Sequence, residues 1–323
     1  MADIDKIKGS FNCDTNGEYV VLSGNKLHIF RPDGSLVATR KDIPHPDRIT
    51  FLSGNRLLLC SSKAVFHMID LCTGTDLWTA PHTKSYTNLD DLAISPDEQY
   101  AYTCDTGKNG NFISRLDLQT QDVYSHDMLR DIGATRGIVC DEEGVPCLLK
   151  TLHETIGGKP YSQNGVRLQD YDAISACRTT NWKTKWSFEG NRSAFCFFGS
   201  ADRVLLTDFH VYEPATGMSF NLLENDPDWQ PPDSHPLSSG HKIWQQYMLI
   251  MWENANMIID IPGRKVVAQY VSHFLNGCIV GNEYWICQEG KIRRKPFPAM
   301  EAVEPVKRTA TMDWYYATRP ELW

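Results

Sequence analysis

The stretch Leu89 to Met128, LDDLAISPDEQYAYTCDTGKNGNFISRLDLQTQDVYSHDM, constrains the fold of this chain more than any other. A short apolar run, Leu92-Ala93-Ile94, stops at Ser95-Pro96-Asp97-Glu98, where proline presets the second position of a tight turn and the acidic side chains favour turning. Tyr100 to Cys104, rich in aromatic and β-branched residues, predicts a second strand. The Gly- and Asn-rich link Thr106 to Asn111 predicts the next hairpin. Phe112, Ser114, Leu116 and Leu118 then alternate with Ile113, Arg115 and Asp117, the period of a strand with unlike faces. Gln119 to Asp122 turns into a fourth strand at Val123-Tyr124. Four strands in about forty residues make a sheet too small to bury both faces, so the unit must stack against copies of itself.

The copies are present. Phe11, the turn Asp14-Thr15-Asn16-Gly17, Tyr19 to Leu22, Leu27 to Phe30 and Leu36-Val37-Ala38 repeat the template, as do Ile49 to Leu52, Leu57 to Cys60, Val65 to Ile69 and Asp76-Leu77-Trp78. Second strands align at Leu22, Cys60, Cys104, Leu149, Thr207, Ile250 and Cys287. A helix would need apolar residues at three and four spacing without breakers, and Gly or Pro interrupts nearly every such window. The predicted fold is therefore all-β: a seven-bladed β-propeller of four-stranded antiparallel blades at approximately 8–40, 47–80, 89–128, 136–188, 193–223, 237–271 and 274–309. Radial stacking shelters the short sheet edges. A single domain over residues 1–323 with a tail at 310–323 is expected, and either Ile4 to Phe11 or Val303 to Thr309 could complete the last blade. The fourth segment departs most from the template, with an inserted hairpin loop from about His153 to Gly165 and an irregular outer part, Thr180 to Trp186.

The segment Ile69-Asp70-Leu71-Cys72-Thr73-Gly74-Thr75-Asp76-Leu77-Trp78 resembles the blade-end motif of quinoprotein-like propellers, with weaker copies at Tyr212 to Gly217 and Leu116 to Thr120. Ile94-Ser95-Pro96-Asp97 with Tyr100 resembles the turn of WD-repeat and YVTN-type propellers. The resemblance covers about a third of the chain and implies the propeller class without a specific family. The quinoprotein cofactor is not implied, because the family holds it with adjacent cysteines and this chain has none. The WD dipeptide with its His-Asp partners is absent too.

A net charge of −8 with 22% charged residues leaves no concentrated basic face for nucleic acid or anionic membrane. MADIDKIKGS lacks the apolar core of a secretory signal, and no later run approaches the length of a membrane helix, so a cytoplasmic location is expected. Most of the ten cysteines sit inside apolar strand runs, as in Phe195-Cys196-Phe197, and read as reduced core residues.

Loops between blades share one face with the second-to-third-strand hairpins, and the long insertions are expected there. Arg48, Asp91, Arg136 and Arg192 each precede an inner strand. They would ring the mouth of a central channel, either gripping an anion in guanidinium forks or pairing locally as a solvated rim. His82, His153 and Glu154 on that face are candidates for binding or acid/base work, with exposed loop residues as the plainer reading. Trp229, in the acidic, proline-rich stretch Asp226 to Asp233, is a candidate anchor for a partner or a cover for its own blade. No motif for a catalytic group, a metal or a cofactor is found. The expected function is a non-catalytic, monomeric scaffold, adaptor or inhibitor that binds another protein through the loop-rich face. The alternative is a lyase or hydrolase acting on a small anionic or carbohydrate substrate at the channel mouth.

Overall fold

The structure is a computed structural model; it describes residues 3–46, 48–82, 88–107, 110–127, 134–155, 168–178, 184–189, 194–206, 209–229, 236–252, 254–272 and 275–304. Strands pair with their sequence neighbours in successive sheets. The first holds β1 (Phe11–Thr15), β2 (Val20–Gly24), β3 (Leu27–Phe30) and β4 (Leu36–Arg40). The second holds β5 (Arg48–Leu52), β6 (Arg56–Ser61), β7 (Val65–Asp70) and β8 (Thr75–Pro81), and the third β9 (Asn88–Ile94), β10 (Tyr100–Gly107), β11 (Gly110–Asp117) and β12 (Val123–Asp127). The fourth is β13 (Ala134–Cys140), β14 (Pro146–Thr155), β15 (Leu168–Arg178) and β16 (Thr184–Glu189); the fifth is β17 (Ala194–Phe197), β18 (Val204–Leu206), β19 (His210–Glu213) and β20 (Met218–Asn221). The sixth comprises β21 (Pro236–Trp244), β22 (Tyr247–Trp252), β23 (Ala255–Asp260) and β24 (Lys265–Val271). The last comprises β25 (Cys278–Val280), β26 (Glu283–Gln288) and β27 (Lys291–Pro296).

These are the blades of a β-propeller arrangement, but the expected count is corrected. Among the described residues six blades have four strands, not seven, and the last sheet has three. Among the described residues no fourth strand pairs along β27. The chain instead runs along β24, where the Gln269 N–H donates to the Ala299 carbonyl and the Glu301 N–H to the Gln269 carbonyl, both at 2.9 Å. The N-terminal segment meets β27 in a single bridge, Lys8 with Lys291. The fourth segment is corrected as well: β14 runs through Thr155, so His153 and Glu154 lie on a strand, and its outer strand spans Thr184–Glu189.

The chain divides into two compact units, Met1–Ser85 with Asn225–Val306 and Tyr86–Glu224 with Lys307–Trp323. In the first, apolar residues fill the spaces between neighbouring sheets. Phe11, Cys13, Leu22 and Phe30 pack on Cys278, Trp285 and Cys287, while Tyr19, Val21 and Ile29 pack on Leu57, Leu59 and Ile69. Such strands are covered on both faces, which is why β2 and β3 are buried throughout and read as continuous apolar runs. The outer strand β8 alternates instead, with Asp76 and Trp78 half-buried between exposed neighbours. In the second unit, Ala93, Cys104 and Ile113 pack on Ile138 and Leu148, and Leu149 packs on Val204 and Leu206.

The turns carry the chemistry the sequence promised. Ser95 Oγ donates to Asp97 Oδ1 at 2.6 Å and accepts from the Tyr100 N–H at 2.9 Å, closing the Ser-Pro-Asp turn. Asp70 and Asp117 head outer hairpins, accepting the Cys72 N–H at 2.8 Å and the Gln119 N–H at 2.9 Å. In the quinoprotein-like segment Gly74 sits at φ +73, and a Cβ there would collide with the Ala38 Cβ on β4. Arg40 closes the same junction, reaching Asp76 Oδ2 and Asp42 Oδ2 at 2.7 Å each and the Gly74 carbonyl at 3.2 Å. The guanidinium hydrogen bond holds the Asp42 carboxyl down at about 2.

Candidate functional site

In the first unit, the first strands of four sheets, β1, β5, β21 and β25, line a cavity of about 270 Å³. Its walls include Ile49, Phe51, Ile243, Trp244, Leu249 and Ile279; its polar groups include Asp14, Thr50, Lys242 and Cys278. The Trp244 ring also lies beside the β1–β2 turn, where a Cβ on Gly17 would be 3.6 Å from it. Asp14, Phe51 and Trp244 stand at or near the C-terminal ends of their strands, by the first-to-second-strand hairpins.

The chemical centre of this cavity is an ion pair. Lys242 Nζ donates to Asp14 Oδ1 at 2.7 Å and, more weakly, to the Cys13 carbonyl at 3.5 Å. The two side chains are 25% and 28% exposed. Burial works against the ammonium's charge, but Asp14, with a smaller contribution from Cys278, outweighs it and raises the Lys242 pKa above the ordinary lysine value. The adjacent thiols are pushed the other way from reactivity. Burial raises Cys278 to about 12 despite Lys242, and raises Cys13 well above the ordinary thiol. The cavity thus sets an ammonium against the Asp14 carboxyl group, with protonated thiols beside them: groups suited to holding a ligand.

A second candidate lies in the other unit, on the third sheet. Arg115 and Tyr124 are directly paired across β11 and β12. The exposed Arg115 guanidinium sits 5.1 Å from the Tyr100 ring centre and 5.2 Å from that of Tyr124. Tyr102 continues the row at 6.2 Å from Tyr100, and Tyr124 is 51% exposed. The row sits where period-two alternation, read from Phe112 to Leu118, puts residues of unlike character on opposite faces.

The residues singled out from sequence are placed as follows. Arg48 is the first residue of β5. Asp91 lies within β9 and is used structurally: its Oδ2 accepts the Ile138 N–H at 2.9 Å, tying the third sheet to the fourth. Arg136 lies on β13, and His153 and Glu154 on β14, with side chains outside the described residues. Arg192 falls outside them altogether, as do most of the long loops expected to carry function: 83–87, 128–133, 156–167 and 230–235. His82 is buried, its ring 5.4 Å from that of Phe66. Trp229 is half-buried at the end of a stretch whose Asn225 and Asp226 are pinned to the β23–β24 turn and to Val266. Among the described residues no group of three His, Cys, Asp or Glu side chains could hold a metal, and no helix is long and apolar enough to cross a membrane.

Sequence reasoning missed Asp14 and Lys242. Asp14 looked like the start of a turn, and Lys242 fell one residue before the strand read from Ile243. The available signal was a lysine inside the run His241-Lys242-Ile243-Trp244, where a strand facing the interior would carry an apolar residue.

No known protein family and no curated protein matches the chain. Solved structures do. The computationally designed Ika8 protein aligns at a TM-score of 0.58 with 12% identity, covering 90% of this chain and 97% of its own. A hydrazine synthase of Kuenenia stuttgartiensis aligns at 0.59 with 11% identity, covering 91% and 96%. At such identities the likeness concerns the fold alone, and it supports the propeller assignment over nearly the whole chain.

Proposed function

We propose that this chain is a non-catalytic propeller that binds another protein. The observation that carries the reading is the exposed Arg115 stacked between Tyr100 and Tyr124 on the third blade. Arginine and tyrosine are the residue types that dominate binding hot spots. Holding the guanidinium between two rings removes in advance much of the side-chain entropy that docking would otherwise cost. A β-propeller suits such a role in general terms, because its rigid blades present side chains on a fixed frame. The lyase or hydrolase alternative would need a general base, and in the cavity the Asp14 carboxyl group is engaged by the Lys242 ammonium at 2.7 Å.

The test is affinity capture from the source cell's lysate with the full chain and with an Arg115→Ala/Tyr124→Ala variant. A protein retained by the parent and lost from the folded variant supports the reading. Capture of nothing specific, or equal capture by both, overturns it.

A further inference from the structure

We propose that the cavity between β1, β5, β21 and β25 binds a small, uncharged heterocycle or amide that carries a hydrogen-bond acceptor next to a donor. The polar groups define that class. A lysine ammonium has three N–H donors, and among the described residues Lys242 directs one to Asp14 and one, weakly, to the Cys13 carbonyl. One donor remains. Asp14 Oδ1 accepts from Lys242 and from the Thr15 N–H at 2.8 Å, while Oδ2 has no partner among the described residues. The pair therefore leaves one donor and one acceptor without a partner among the described residues, both on side chains that line the cavity, and a ligand that uses them must offer the converse.

Charge selects further. Asp14 and Lys242 neutralise each other at 2.7 Å, so a lone anion meets the carboxylate as well as the ammonium, and a lone cation meets the reverse. A neutral lactam or primary amide completes both hydrogen bonds with no such repulsion. Trp244 and Phe51 supply flat apolar surface for its body. At a packing fraction of roughly 0.55, a 270 Å³ space holds about 150 Å³ of atoms, a single substituted ring. An ion pair walled by Trp, Phe and Ile is the composition of a ligand pocket; as packing alone it would be matched or bettered by apolar side chains.

The experiment is ligand-observed NMR titration of the purified full chain, which needs no partner and so stands apart from the protein-binding proposal. The probes are 2-pyridone and nicotinamide, with benzoate and benzylammonium as charged counterparts. Neutral probes are expected to bind with a Kd of about 1 mM or tighter, and the charged ones at least tenfold more weakly. Two variants localise the site. Asp14→Asn/Lys242→Met replaces the ion pair with groups of similar shape, and Ile243→Trp adds bulk at a lining residue that is 41% exposed. Each should weaken the neutral probes at least tenfold. The proposal is overturned if no neutral probe binds below about 20 mM, if a charged probe binds as tightly, or if folded variants bind unchanged. Should neither variant fold, the ranking of neutral over charged probes on the parent protein decides alone.

Discussion

Replacing Gly74 with alanine tests how the blades of the first unit lock together. The glycine has φ +73, and a Cβ on it would collide with the Ala38 Cβ of the neighbouring blade and approach Ile29 Cδ1 to 3.7 Å. Two costs add. Left-handed backbone costs alanine roughly 1–2 kcal/mol, and forcing a methyl into a filled junction costs about 1–3 kcal/mol. The same blade supplies a control: Gly54 has φ +67 with nothing within 4 Å of its added Cβ, so Gly54→Ala bears only the backbone cost. Equilibrium urea unfolding should therefore place Gly74→Ala about 1–3 kcal/mol below Gly54→Ala, through a lower midpoint with a similar slope. If the two variants lie within about 0.5 kcal/mol of each other, blade one does not press on the blade-two turn as described.

Three further outcomes follow from the geometry. Asp14→Ala leaves the Lys242 ammonium facing apolar walls and should cost about 2–4 kcal/mol, somewhat below the fully buried case, whereas Asp14→Asn/Lys242→Met should stay within about 1 kcal/mol of the parent; denaturant unfolding measures both. The Asp42 pKa is depressed to about 2 by Arg40, so its contribution to stability is complete above the unfolded value near 4 and is lost as pH falls from about 4 through 2. Arg40→Met should flatten the stability profile in that window. Thiol titration of the native protein with Ellman's reagent at pH 8 should modify exposed Cys72 first, with buried Cys13 and Cys278 reacting only after denaturation.

Much of the fold was legible because its signals are local. Period-two alternation, Gly and Asn at hairpins and the Ser-Pro-Asp turn act over a few residues, and Leu22, Cys60, Cys104, Leu149, Ile250 and Cys287 fall on second strands of their sheets, while Thr207 lies outside the described residues. The end of the repeat was not legible, because nothing in Lys8 or Lys291 marks a single bridge. The cavity was hidden for a different reason: Asp14 and Lys242 stand 228 residues apart in sequence, and only the packing of the sheets brings them together. Arg115 was visible as one member of an alternating strand, but its two tyrosines come from β10 and β12, so the stack exists only across three strands.

Site-specific photo-crosslinking bears most directly on the claim that this chain binds another protein. A benzophenone amino acid placed at position 124, beside Arg115, is irradiated in the source cells and compared with the same group at exposed Lys63. The account predicts one discrete adduct with a second protein from position 124, and its loss when Arg115→Ala is added. No adduct, or the same adduct from both positions, would contradict it.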